Sequence, residues 1–233
     1  MSRVLALSSN YDLPTMYVSR WIQRIIDQAR ILGHSVYHLA DGELTETNLY
    51  GAIEQQSPEY VFAGGHGSSS VFTTMDAQPL IVACSNDEVL AGAQVLFASC
   101  LCGVELVPSA YGKGALAVAG FSSEFTWVVS EPYDPASDPY AYPFERMIVE
   151  PVLEVLRGRG WAGWYSRLRA VAAEERAKWG QVTDDPLAAQ IVYCIDHDAG
   201  CATYVAEGEY VGGGGGLDPV LLLGLLYGLS KVV

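Results

Sequence analysis

Two residues of this chain have the type and setting for covalent catalysis: His66, within Gly64-Gly65-His66-Gly67, and Cys100, within Ser99-Cys100-Leu101-Cys102-Gly103. A cysteine attacks as its thiolate, and a neighbouring imidazole supplies that species by taking the proton. The tetrahedral species that follows needs backbone N–H groups aimed at its oxyanion. Glycines beside both residues suit this demand, because they admit close backbone approach and unusual dihedrals. The N–H groups of Gly67 and Cys100 are the candidates. This chemistry calls for no cofactor and no metal.

Taken singly, each residue has a plainer role. A cysteine at a strand end is ordinarily a small buried hydrophobe, and His-Gly is ordinarily a turn. Their joint occurrence at two strand ends, with flanking glycines, favours the catalytic reading. Cys102 competes as nucleophile, but Gly103 follows it directly. His34 and His38 read as structural. Asp196-His197-Asp198 invites a metal reading, yet such a run at a hairpin tip is normally a solvated turn. Glu131, Asp134 and Asp138 likewise read as an acidic loop without Ca²⁺. A nucleophile elbow is absent, since Cys100 has Ala98 and Cys102 where glycines are required. No Gly-x-x-x-x-Gly-Lys-Ser/Thr phosphate loop occurs either.

The elements that must position His66 and Cys100 alternate along the first half. Residues 3–7, 35–39, 60–63, 94–99 and 115–121 read as short apolar strands. Between them, Pro14 and Thr15 open an amphipathic helix that Gly33 ends, and Thr45 caps a second helix running to Gln55. Residues 71–74 and 80–83 suit a small hairpin, with a short helix from Asn86 to Leu90. This alternation indicates an α/β sandwich with a mostly parallel central sheet and helices on both faces. Chemistry in such sheets gathers at the carboxyl ends of strands, where His66 and Cys100 fall. Beyond residue 130 come a Pro-rich exposed loop (130–143), helices over 142–157 and 161–179, and a predicted β-hairpin over 190–206. That hairpin would turn at Asp196 to Gly200 and bring Cys194 nearly opposite Cys201, both as reduced core cysteines.

A strand followed by His-Gly, then a strand followed by Cys-x-x-Gly, resembles the caspase-like cysteine peptidases, the grouping of clostripain, gingipains, legumain, separase and the CHAT domains. The resemblance rests on Tyr60 to Phe121, including the Gly-rich segment Tyr111 to Ala115. It implies a three-layer caspase-like α/β/α fold with a helical and β-hairpin C-terminal extension. It assigns the nucleophile to Cys100, the general base to His66 and the oxyanion donors to Gly67 and Cys100. Self-cleavage in the 130–143 loop is a further implication. Two positions depart from the pattern: Ser99 stands where relatives carry alanine. Ala98 stands where clostripain-like relatives carry an acid that binds a basic P1 side chain. Glu124, just beyond the next strand, is the alternative residue to select Arg or Lys at P1. The competing reading is a non-catalytic CHAT-like module that docks on a partner.

Composition limits the remaining options. Half of the 233 residues are apolar and 17% charged, which fits a large folded domain, here residues 1–211. A net charge of −14 argues against nucleic acid or an anionic membrane as partner and leaves a protein or peptide substrate. The N-terminus lacks a signal-peptide pattern and the five cysteines lack paired spacing, so a cytoplasmic setting is expected. Gly212 to Gly216 reads as a flexible linker. Residues 217–233 read as an apolar helix, opened by Asp218 and Pro219, for packing back on the domain, docking in a homo-oligomer or larger assembly, or shallow membrane attachment; it is short for spanning a bilayer.

Overall fold

The computed structural model describes residues 1–131 and 133–212. Seven strands form one sheet: β1 (Arg3–Ser8), β2 (Ser35–Ala40), β3 (Tyr60–Gly64), β6 (Gln94–Ala98), β7 (Ala117–Phe121), β8 (Ala202–Ala206) and β9 (Glu209–Gly212). Their spatial order is β2-β1-β3-β6-β7-β8-β9. The first five run parallel, and β8 and β9 add antiparallel at one edge. Two short strands, β4 (Val71–Thr73) and β5 (Pro79–Val82), pair as a separate hairpin.

Strand periodicity explains the layering. Val4 and Ala6 of β1 join the apolar cluster on one face, while Leu5 and Leu7 join the cluster on the other. The first face is covered by α1 (Leu13–Ile31), α4 (Tyr142–Leu156), α5 (Gly160–Trp179) and α6 (Ala188–Cys201). The second is covered by α2 (Glu46–Gln56) and α3 (Leu106–Gly112). The result is the expected three-layer sandwich with a mostly parallel centre. Among the described residues, no helix is long and apolar enough to cross a membrane.

Helix α1 carries the apolar stripe Trp21, Ile22, Ile25, Ile26 and Ala29, all buried. Its N-cap is Asp12, whose side chain accepts from the Thr15 N–H while the Thr15 hydroxyl oxygen accepts from the Asp12 N–H. This reciprocal capping box, with Pro14 in the first turn, fixes where the helix starts. Thr45 caps α2 as expected, accepting from Asn48 N–H at 3.2 Å.

Two expectations need correction, and one helix was not expected. The segment predicted as a hairpin over 190–206 is mostly α6. Ile191, Cys194, Ile195, Asp198 and Cys201 are buried at helical spacing, and Asp196, taken for a turn residue, is exposed and ion-paired with Arg176 at 2.9 Å. The C-terminal hairpin is instead β8–β9, turning at Glu207 and Gly208, both at positive φ. Helix α3 was not expected: Pro108 lies in its first turn, where a missing N–H costs nothing. Finally, Gly212 is not linker but the end of β9. A Cβ there would stand 2.2 Å from the Ala202 carbonyl oxygen, so only glycine fits. The remaining glycines of the run and the expected apolar helix lie outside the described residues.

The loop after residue 130 is exposed along much of its length yet anchored by Asp138, which is buried. Its carboxylate accepts from the Tyr17 hydroxyl at 2.6 Å, the Ser130 N–H at 2.8 Å and the Tyr140 N–H at 2.9 Å. That role accounts for one of the three acids considered for Ca²⁺.

Candidate active site

The register of β3 on β6 pairs Gly64 with Ala98. His66 and Cys100 therefore leave adjacent parallel strands at the same level, each two residues past the last pair. Both line one cavity of about 430 Å³. Its other walls come from α1 (Val18, Trp21), from the segment after β7 (Glu124, Phe125, Thr126, Trp127) and from Ile148 of α4. Trp21 packs edge-on against Phe125 and Trp127, with ring centroids 6.2 and 5.1 Å apart, so this wall is a rigid aromatic cluster.

His66 is held from outside the segment that carries it. Its Nε2 lies 2.7 Å from Oδ2 of Asp12, the residue that caps α1. Burial works against ionisation of the Asp12 carboxyl. The Thr15 hydroxyl and amide, and then His66, outweigh it and hold that carboxyl below its ordinary range. With Nε2 occupied, Nδ1 is the ring nitrogen left for a substrate or nucleophile proton. Sequence reasoning missed Asp12. The signal was present as Asp12-x-x-Thr15 with Pro14, but a capping box says nothing about a histidine 54 positions away.

Cys100 has a different environment. Its Sγ is 3.9 Å from the Phe125 carbonyl oxygen. Burial pushes its thiol up to about 11; hydrogen bonding with the Phe125 backbone lowers it somewhat, and the charges of Glu124 and Asp198 raise it further. The thiol is therefore protonated at rest. The next residue is strained: Cys102 N–H bonds back to the Cys100 carbonyl at 2.8 Å, with Leu101 at φ +62°. A non-glycine residue at the centre of such a three-residue turn is uncommon and costs energy. Hydrogen bonds from Leu101 N–H to Ser123 (3.0 Å) and from Gly103 N–H to Phe121 (2.8 Å) hold it in place.

Gly67 faces this turn closely. A Cβ at Gly67 would lie 2.6 Å from Cys102 Sγ and 2.9 Å from the Cys100 carbonyl oxygen, so a side chain is excluded. The bridge between Gly67 and Phe72 uses the Ser68 and Thr73 N–H groups. Neither the Gly67 nor the Cys100 N–H donates to a protein acceptor among the described residues. Ser99 is buried, and its hydroxyl donates to Cys102 Sγ at 3.0 Å. Cys102 itself is fully buried, with its thiol pushed up to about 12 by burial, and it is absent from the cavity wall. Ala98 lines the cavity, and Glu124 is exposed at it. The sequence-predicted residues His66, Gly67, Ala98, Ser99, Cys100 and Glu124 thus share one cavity. The aromatic wall and Asp12 complete the surroundings.

No family model matches the chain, and no curated protein matches it. Among solved structures, it is similar to an inactive zymogen C11 protease from Parabacteroides distasonis. That likeness covers 80% of this chain and 69% of the other, at 12% identity and a TM-score of 0.37.

Proposed function

We propose that the chain is a caspase-like cysteine peptidase with Cys100 as nucleophile and His66 as general base. One observation carries this reading: His66 and Cys100 emerge at one level from neighbouring parallel strands onto a single cavity. In the proposed reaction Nδ1 of His66 takes the thiol proton as sulfur attacks the peptide carbonyl carbon. The N–H groups of Gly67 and Cys100 receive the oxyanion. The C–N bond then breaks, the amine leaves with the proton from His66, and water hydrolyses the thioester with His66 again as base. Asp12 holds the imidazole by Nε2 and stabilises its protonated form.

Glu124 at the cavity mouth is the proposed partner of an Arg or Lys at P1. The apolar walls would hold the aliphatic stem of that side chain. Self-cleavage within loop 130–143 belongs to the same reading and predicts two fragments by intact mass of purified protein. All five cysteines are free, which suits a reducing, cytoplasmic compartment. The decisive experiment is labelling by a peptide carrying a thiol-directed electrophile. Wild type reacts, whereas Cys100→Ala and His66→Ala do not; equal labelling of Cys100→Ala rejects the reading.

One observation favours a second reading, a non-catalytic interaction module. The surroundings of the Cys100 thiol oppose its ionisation. An unreactive wild-type thiol in the same experiment selects this module.

A further inference from the structure

Behind the cavity wall lies a group of donors that the peptidase chemistry does not use. His197, Asp198 and Cys201 of α6 are all buried, and one ligand atom from each lies within 4.8 Å of the others. Asp198 and Cys201 stand three positions apart, and His197 and Cys201 four, so the helix brings them to one face. Two further observations point to a ligand. First, Oδ1 of Asp198 accepts from the Thr126 N–H at 2.9 Å, but Oδ2 is buried with no partner among the described residues. A carboxylate oxygen left so in the interior is costly and asks for an occupant. Second, Nε2 of His197 lies 2.9 Å from the Glu124 carbonyl oxygen. A carbonyl only accepts, so Nε2 carries the hydrogen and Nδ1 keeps the lone pair. Metal-binding histidines are commonly oriented in this way.

We propose that His197 Nδ1, an Asp198 carboxylate oxygen and Cys201 Sγ form a binding site for a borderline-soft divalent cation of the Zn²⁺ class. One nitrogen, one oxygen and one sulfur donor are the ligand types such an ion takes, with a fourth position for water. Binding releases the Cys201 thiol proton to solvent, and Asp198 binds as its carboxylate. The two anions then neutralise the +2 charge, so the buried site carries no net charge. Sulfur among the donors excludes Mg²⁺ and Ca²⁺. The ion would fasten α6 to residues 122–126, because the outer hydrogen bonds of the same side chains reach Glu124 and Thr126, and the Cys201 carbonyl accepts from Ser122. It is thus a clamp on one wall of the cavity, independent of whether Cys100 is a nucleophile.

The test uses the full chain stripped with EDTA and titrated with Co²⁺. The expected result is one ion per chain, with a thiolate-to-cobalt absorption band that Zn²⁺ abolishes. The band is expected to persist in Cys84→Ser/Cys100→Ser and to vanish in Cys201→Ser. Asp198→Asn is expected to weaken binding at least about tenfold. A band that survives in Cys201→Ser, or is lost in Cys84→Ser/Cys100→Ser, overturns the assignment. Because Cys201→Ser alters a fully buried side chain, the wild-type thermal midpoint is read alongside: Zn²⁺ raises it relative to EDTA. Absence of both the band and the shift overturns the proposal.

Discussion

The two sides of the cavity are built by opposite means. His66 is about one third exposed, and its ring is fixed by a carboxylate whose own position is set by a helix cap. Cys100 is half-buried beside a carbonyl oxygen, an aromatic wall and two acidic residues, and each of those acids opposes its ionisation. One side is prepared to hold a positive charge, while the other is not prepared to hold a negative one. The difference implies a Cys100 that rests as the neutral thiol. In the proposed reaction, proton transfer from Cys100 to His66 then accompanies attack rather than preceding it. A thiolate–imidazolium pair formed beforehand would need the Cys100 surroundings reversed.

The comparison can be broken most sharply at the two side chains themselves. Cys100→Ala is expected to abolish electrophile labelling, and His66→Ala to lower peptide cleavage by about 10²–10⁴-fold. Both variants should keep the wild-type thermal midpoint to within a few degrees. Next comes pH. With the thiol pushed up to about 11, the labelling rate of wild type should still climb between pH 7 and pH 9. A plateau reached below pH 7 would show an ion pair at rest and end the asymmetry.

Asp12 allows the two roles of one carboxylate to be separated. Asparagine caps helices as well as aspartate, so Asp12→Asn should preserve stability. Activity should fall by about 10–100-fold, as expected for loss of a charge-assisted hydrogen bond worth about 1.5–3 kcal/mol. Asp12→Ala should in addition lose about 1 kcal/mol of stability with the cap. If Asp12→Asn retains full activity, the carboxylate only caps the helix. The smallest effect is expected at Glu124, which is exposed. Glu124→Gln should shift the ratio of Arg- to Leu-terminated reporter cleavage by no more than about fivefold. Equal cleavage of the two reporters by wild type would remove the P1 assignment.

Legibility in the sequence followed the range of the forces involved. Strands 60–63 and 94–99 were visible because continuous apolar runs bounded by glycine are a local signal. The helix ends at Gly33 and Thr45 were visible for the same reason. The segment from Asp196 to Gly200 misled, because its residues favour turns when exposed. Here, burial of His197 and Asp198 against residues 124–126 and the ion pair of Asp196 carry the helix through them. Asp12 and the wall formed by Trp21, Phe125 and Trp127 were legible as cap and core only. Their meeting with His66 and Cys100 depends on contacts between distant parts of the chain.

For His66 and Cys100, the sequence alone determined the residue types, the flanking glycines and the strand-end positions, since each of these is a local property. It also determined the layered α/β class through the alternation of its elements. Only the tertiary structure decided that β3 and β6 are neighbours in a register that levels His66 with Cys100. It alone decided that a helix cap orients the imidazole, and that the thiol lies in surroundings hostile to its charge. Electrostatic environment is a sum over neighbours in space, and the order of residues along a chain does not contain that sum.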